Sequence, residues 1–334
     1  MAPLRLALTL SLALTLSLAL LAALPAAAQT RLRWGHVQEA TEPHHLEALR
    51  AAKEIAERTQ GRIQIEVFAA SQLGSEPQLN QGLVLGSIDI AYTAVGFAAG
   101  QYRPIAISGA PYMLRDFGHF MAYRDSELFR ELAAGYDRAS GNHMVTLTYT
   151  GERHVTANRA ITRPEDMRGL KLRVPQAPLY MMFARAVGAN ATPIAFAEVY
   201  LALQNGTVDA QENPLPNIAA KRLQEVQSHV ILTGHITEAI STVIGGSAWR
   251  RIGEADRPVV EQALREAATR STLAVREIEA ALPGQFEREG KVILRPDRAP
   301  FRAVTLPLLT DPSAGAGWTK EQFDRLQAIA SATN

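Results

Sequence analysis

The 334-residue chain contains no cysteine. That excludes disulfides, thiolate metal sites, cysteine nucleophiles and a lipid anchor attached through cysteine. Excess charge of either sign is also missing. Of 34 basic and 33 acidic side chains only Arg5 falls in the first 28 residues, so the remainder balances to zero. A neutral chain with scattered charges has no electrostatic footprint for nucleic acid or anionic lipid. Familiar enzyme signatures are absent too: there is no G-x-S-x-G elbow, phosphate-binding loop or dinucleotide fingerprint after the first strand.

Long apolar runs are confined to the start. Met1–Ala28 has a basic residue, a Leu/Ala-rich core, Pro25, and then Ala26, Ala27 and Ala28. That order predicts a secretory signal peptide cleaved after Ala28, although the apolar stretch is about long enough for a membrane anchor. No later stretch could span a bilayer, so no stable membrane insertion is expected after cleavage. About 300 residues remain, ample for two lobes with separate cores.

What is present alternates between strand and helix patterns. Leu32, Trp34 and Gly35 suggest a first strand. In TEPHHLEALRAAKEIAERTQG, Pro43 suits an early helical position, with Leu46, Leu49, Ala52 and Ala56 as the expected buried face. RIQIEVF alternates as a strand, Glu76–Leu85 reads as a helix stopped by Gly86, and SIDIAYT as the next strand. NHMVTLTYT, GLKLRVP, TVDAQENP and SHVILTG are further strands. A helical stretch from about Glu254 to Glu289 is expected to break at Pro283 and Gly284. The β-α-β order predicts an α/β fold with a largely parallel sheet.

Metal and catalytic constellations are weak. His44 and His45 are adjacent rather than one helical turn apart, and His143, His154, His229 and His235 each stand alone. No metal and no cofactor are therefore expected. Glu152 and Glu198 could form a carboxylate pair only if the fold joined them. Arg173 is more suggestive. It lies at the carboxyl end of GLKLRVP just before Pro175, the edge where ligands collect in open α/β sheets. Asn213 occupies a similar place before Pro214. A guanidinium fork matches a carboxylate bidentately and an amide adds a donor. From spacing alone, Arg173 could equally be a solvated or ion-paired residue.

A longer pattern supplies context. Residues 151–218, densest in GLKLRVP and PIAFAEVYLALQNGTVDAQENP, resemble the periplasmic solute-binding proteins of TRAP transporters. Weaker similarity covers nearly the whole mature chain, including ERTQGRIQIEVFAASQLG and GSIDIA. The resemblance implies a class II type, two-lobed periplasmic binding protein fold, with a ligand cleft between lobes and a long helix spanning both. Residues 29–150 plus about 239–278 would form lobe I. Residues 151–238 plus about 279–334 would form lobe II, carrying the carboxylate-binding arginine.

The same resemblance implies that Arg173 bridges a substrate carboxylate, with Arg153 as a second cationic contact and Asn213 as a donor. Gln176 stands where relatives often have asparagine, and Phe196 would pack against the ligand or simply in the core. Sialic acid-binding members carry a glutamate and an arginine just after the strand equivalent to SIDIAYT. Ala94 and Phe97 occupy those places here, which suggests a smaller or less hydroxylated acid. His36, Gln38, Glu39 and His44 could supply replacement contacts, or form only a solvated loop and helix cap. The implied function is periplasmic capture of a small hydroxy or sugar acid and handover to the small and large membrane subunits of a transporter. Sialic acid, a C4-dicarboxylate, or service to a two-component sensor are alternatives, and an exported hydrolase is the remotest.

Overall fold

A computed structural model describes residues 29–310 and 317–332. The leader expected at Met1–Ala28 lies outside them. The chain opens with β1 (Thr30–Gly35), α1 (Pro43–Arg58), β2 (Ile63–Phe68), α2 (Glu76–Leu85) and β3 (Ile90–Ala94). Both β2 and β3 run parallel to β1, one on each side. Helix α2 begins where the Ser75 N–H donates to the Gln78 side chain at 2.8 Å, and ends at Gly86, whose φ is +75°. Short α3 (Val95–Ala98), α4 (Phe117–Arg124) and α5 (Glu127–Ser140) then lead to β4 (His143–Ala157).

The second half comprises β5 (Lys171–Val174), α6 (Met181–Ala186), β6 (Asn190–Pro193), α7 (Val199–Gln204), β7 (Ala210–Pro214) and α8 (Leu215–Ala220). It continues through β8 (His229–Ile244), α9 (Gly246–Arg251), α10 (Arg257–Arg288), β9 (Val292–Leu294), α11 (Arg298–Thr310) and α12 (Lys320–Ala328). Among the described residues one sheet joins the nine strands in the order β2-β1-β3-β8-β4-β7-β5-β6, with β9 paired to β8.

The lobes share two strands. β4 and β8 pair antiparallel from His143 opposite Ile244 to Ala157 opposite His229. β3 adds to β8 at residues 240–244, whereas β7 adds to β4 at residues 153–157, so each half of the central pair carries its own set of strands. The register shifts between Tyr149 and Gly151, where Gly151 has φ +117°. A Cβ there would stand 2.9 Å from Glu279 Oε1 and 3.0 Å from Pro214 Cβ, so glycine is required for both conformation and space. Glu279 on α10 accepts from Tyr149 Oη at 2.6 Å and from the Glu152 N–H at 2.5 Å, tying the long helix to the crossing point.

Several expectations need correction. The buried stripe of α1 is Ala48, Ala51, Ala52 and Ile55, while Leu46 and Leu49 are 53 % and 45 % exposed. A helix rich in alanine seats its small side chains close to the sheet, and this rotates the leucines outward. Helix α10 does not break: it runs 32 residues through Pro283. Leu282 and Phe286, both buried, anchor the turns beside the proline and offset its missing hydrogen bond. The tail does not stay with lobe II. Helix α11 packs on α6 and β8, but α12 returns to α5 of lobe I, where Arg325 pairs with Glu131 at 2.7 Å. Among the described residues, no helix is long and apolar enough to cross a membrane.

Candidate functional site

A cavity lies where the crossing strands meet both lobes. Val37, Gln38, Glu76 and Ala94 line it from lobe I, and Arg173, Tyr180, Phe196, Asn213 and Asn217 from lobe II; Thr150, Arg153, Glu238 and Ile240 come from the crossing strands. Its volume is about 40 Å³, room for about three waters. The lobes are therefore closed, and a solute of several carbons needs them to part before it can enter.

Arg173 is 2 % exposed. β5 ends at Val174, and the edge strand β6 places the following Ile194 carbonyl beside the guanidinium. Nε and Nη2 both donate to that oxygen, at 2.9 and 2.7 Å. Among the described residues Nη1 has no partner, and no carboxylate pairs with the side chain. Burial pushes its pKa down to about 10, so it remains a cation at neutral pH. Two other polar atoms on the cavity wall are also buried without partners, Gln38 Oε1 and Thr150 Oγ1. Buried polar groups are normally satisfied, so three orphans around one cavity describe a site shaped for a polar guest.

Arg153 is equally buried but differently placed. Glu212 stands opposite Val155 and Glu238 opposite Gly151, so each is a diagonal neighbour of Arg153 on one face of the sheet. The guanidinium donates to both carboxylates, to Glu238 Oε2 at 3.0 Å and to Glu212 Oε1 at 2.8 Å. Burial alone would lower its pKa; Glu212 and Glu238 outweigh that and raise it. Its charge is neutralised within the protein. His235 extends the chain behind, with Nε2 3.1 Å from Glu212.

The other predicted residues divide. Asn213 lines the cavity, with Oδ1 accepting from Arg153 at 3.3 Å and Nδ2 donating to Gln211 at 2.5 Å. Phe196 and Gln38 also line it. Gln176 does not: its exposed amide faces a separate groove between the lobes with Gln101 and Phe97. His36 lies outside the cavity wall, 3.1 Å from His45, and burial lowers its pKa to about 3. His44 is fully buried, with Nε2 3.2 Å from the Tyr149 carbonyl. Glu39 pairs with Lys221 at 2.7 Å. Glu152 pairs with Arg298 and Glu198 is exposed, so the imagined carboxylate pair does not form.

Several wall residues were not found from sequence, among them Glu76, Tyr180, Asn217 and Glu238. Glu76, at the start of α2, accepts from the Ala94 N–H at 3.0 Å, and burial pushes its carboxyl up to about 7. Glu238 accepts from Tyr180 Oη at 3.2 Å, and burial raises its pKa despite Arg153. Asn217 projects from α8. None carries a motif; Glu76 sits beside a proline in an ordinary helix start, and only the closed tertiary structure shows where it points. Among the described residues, no three metal-ligating side chains converge.

Two lobes on shared strands, closed over a buried cation that has no counter-ion among the described residues, define a solute-binding receptor. The chain belongs to the bacterial extracellular solute-binding proteins, family 7, whose model matches residues 34–313. It is 33% identical over 297 residues to the sialic acid-binding periplasmic protein SiaP of Vibrio cholerae, covering 89% of this chain and 92% of that one. A solute-binding protein of Roseobacter denitrificans is 33% identical over 279 residues, 83% of this chain and 85% of the relative. The solved TRAP periplasmic solute-binding protein from that bacterium with bound L-galactonate superposes with TM-score 0.84 at 30% identity, over 90% of this chain and 99% of the other. A TRAP solute-binding protein of Polaromonas bound to D-erythronate gives TM-score 0.85 at 28% identity, over 90% and 99%.

Proposed function

We propose that the chain captures a small hydroxy or sugar monocarboxylate in the periplasm, without chemical conversion, and delivers it to the membrane subunits of a TRAP transporter. The supporting observation is the unpartnered Nη1 of Arg173, a buried cation facing the cavity. A carboxylate is the complementary guest, and Asn213 on the same wall adds an amide. The opposite side supports hydroxyls rather than a second carboxylate. Gln38 Oε1 is an unpartnered acceptor, and Glu76 and Glu238 add carboxyl groups rather than a cation to this part of the wall. Ala94 removes one polar partner expected of sialic acid-binding relatives, while Phe97 packs on Tyr180 with ring centroids 6.1 Å apart.

The test is a thermal-shift screen of the purified mature protein against D-erythronate, L-galactonate, sialic acid and succinate. Ligands that bind only the native state raise the melting temperature by mass action. A rise with the hydroxy monoacids and none with succinate is expected. A response to succinate alone, or to sialic acid alone, refutes the substrate class.

A further inference from the structure

We propose that Glu39 and Lys221 form an ionic latch that, with Glu42 and Asn217, holds the lobes shut at the rim of the solute cavity. The loop 36–42 between β1 and α1 belongs to lobe I; α8 and the residue that follows it belong to lobe II. Lys221 Nζ donates to Glu39 Oε1 at 2.7 Å, and Asn217 Nδ2 donates to Glu42 Oε2 at 3.1 Å. Asn217 and Lys221 are four residues apart, so they project from the same face of the helical turn. On the facing loop the two acceptors are tied together, because Glu42 Oε1 accepts the Glu39 N–H at 2.7 Å. The contacts thus form one unit with two members on each lobe.

Position gives the latch its role. Gln38, next to Glu39, lines the cavity, as does Asn217, and the Lys221 ammonium lies 5.8 Å above the ring of cavity-lining Phe196. Each partner is less than a quarter exposed, which limits screening by salt. Because the partners belong to different lobes, both contacts break when the cleft opens. They stabilise only the closed state, and such differential contacts shift an open–closed equilibrium. The latch therefore slows solute escape without touching the carboxylate clamp. It rests on the closed geometry and not on the identity of the acid.

The chain's lack of cysteine permits a direct test on ligand-free mature protein. Gln101 and Gln176 line the same interlobe groove, so a cysteine placed at each can be joined by a short bifunctional maleimide, at a rate that tracks the closed population. Lys221→Met and Glu39→Gln should each slow cross-linking about three- to fivefold at low salt. The charge swap combining Glu39→Lys with Lys221→Glu should restore it. Labelling by a monofunctional maleimide, which reports thiol reactivity alone, should not change. Cross-linking at the unsubstituted rate in both single variants overturns the latch, as does a swap that remains as slow as the single changes.

Discussion

Arg153 and Glu238 meet diagonally across the β4–β8 pair, with Nη1 donating to Oε2 at 3.0 Å. The second cation of the site is thus held by the protein itself, and of the two arginines Arg173 is the one left, among the described residues, for an external anion. The two arginines should consequently fail in opposite ways. Arg173→Met should lose binding by some tens to thousands of fold, the effect of removing one partner of a buried, hydrogen-bonded charge pair worth about 2–5 kcal/mol. It should not destabilise the empty protein, because it removes a buried charge without a counter-ion. Arg153→Met leaves Glu212 and Glu238 buried and unpaired, and should cost about 3–5 kcal/mol of folding stability. Calorimetric titration and urea unfolding of both variants separate these outcomes. A stability loss for Arg173→Met as large as that for Arg153→Met would contradict the assignment.

Glu76 should act as a charge filter. Its carboxyl lies in the cavity wall, bonded to the Ala94 N–H. With its pKa raised to about 7 the carboxyl is partly ionised at neutral pH. A solute with a second carboxylate directed at this wall therefore meets some like charge, more as pH rises, whereas a hydroxyl meets an acceptor. Glu76→Gln should improve the affinity for succinate relative to D-erythronate. The ratio of the two dissociation constants is the measurement, since a merely structural change would weaken both alike.

How much of this was legible depended on how far each residue's meaning is local. The strand GLKLRVP and the proline after it already fixed Arg173 at a carboxyl edge, where the structure finds it. Helix α2 was legible because Gly86 is a local stop signal; Ser75 and Pro77 mark its start in the structure. The face of α1 was not, because alternative stripes of leucine and alanine are equally amphipathic and only packing on the sheet selects one. The ion pairs of cavity-lining Arg153 were not legible, because Glu212 and Glu238 approach it only through cross-strand pairing, 59 and 85 residues away. Glu39 was read as a possible ligand contact for the same reason: its partner lies 182 residues along the chain.

Gly151 should be intolerant of any side chain. Its φ of +117° lies outside the range that other residues adopt, and a Cβ would press on Glu279 and Pro214. Gly151→Ala should cost about 1–3 kcal/mol from backbone strain, with the clash added. Because Glu279 also bonds Tyr149 and Glu152 there, the same change should alter how the lobes close. Urea unfolding measures the first effect, and small-angle scattering with and without D-erythronate the second. Wild-type stability in the alanine variant would show that this backbone is not held as described.

His143 should make stability depend on pH in the alkaline range. Its Nδ1 lies 2.8 Å from Asp137 and its Nε2 2.9 Å from Glu261, and the ring stacks on Trp249 at 4.3 Å. Burial alone would lower the pKa, but the two carboxylates outweigh it and raise it to about 9. In the unfolded chain the ordinary value is about 6.5. The folded state therefore holds this proton more tightly, and its contribution is complete below about pH 6.5 and disappears as pH rises through about 9. The wild type should exceed His143→Gln in stability at pH 6, and most of that gap should close by pH 10. Comparing the two proteins by urea unfolding at both pH values cancels the other titrating groups, including His36 and His44, which burial holds neutral and which act at acid pH. A gap that stays constant or widens from pH 6 to pH 10 would mean that His143 is not held as an imidazolium between Asp137 and Glu261.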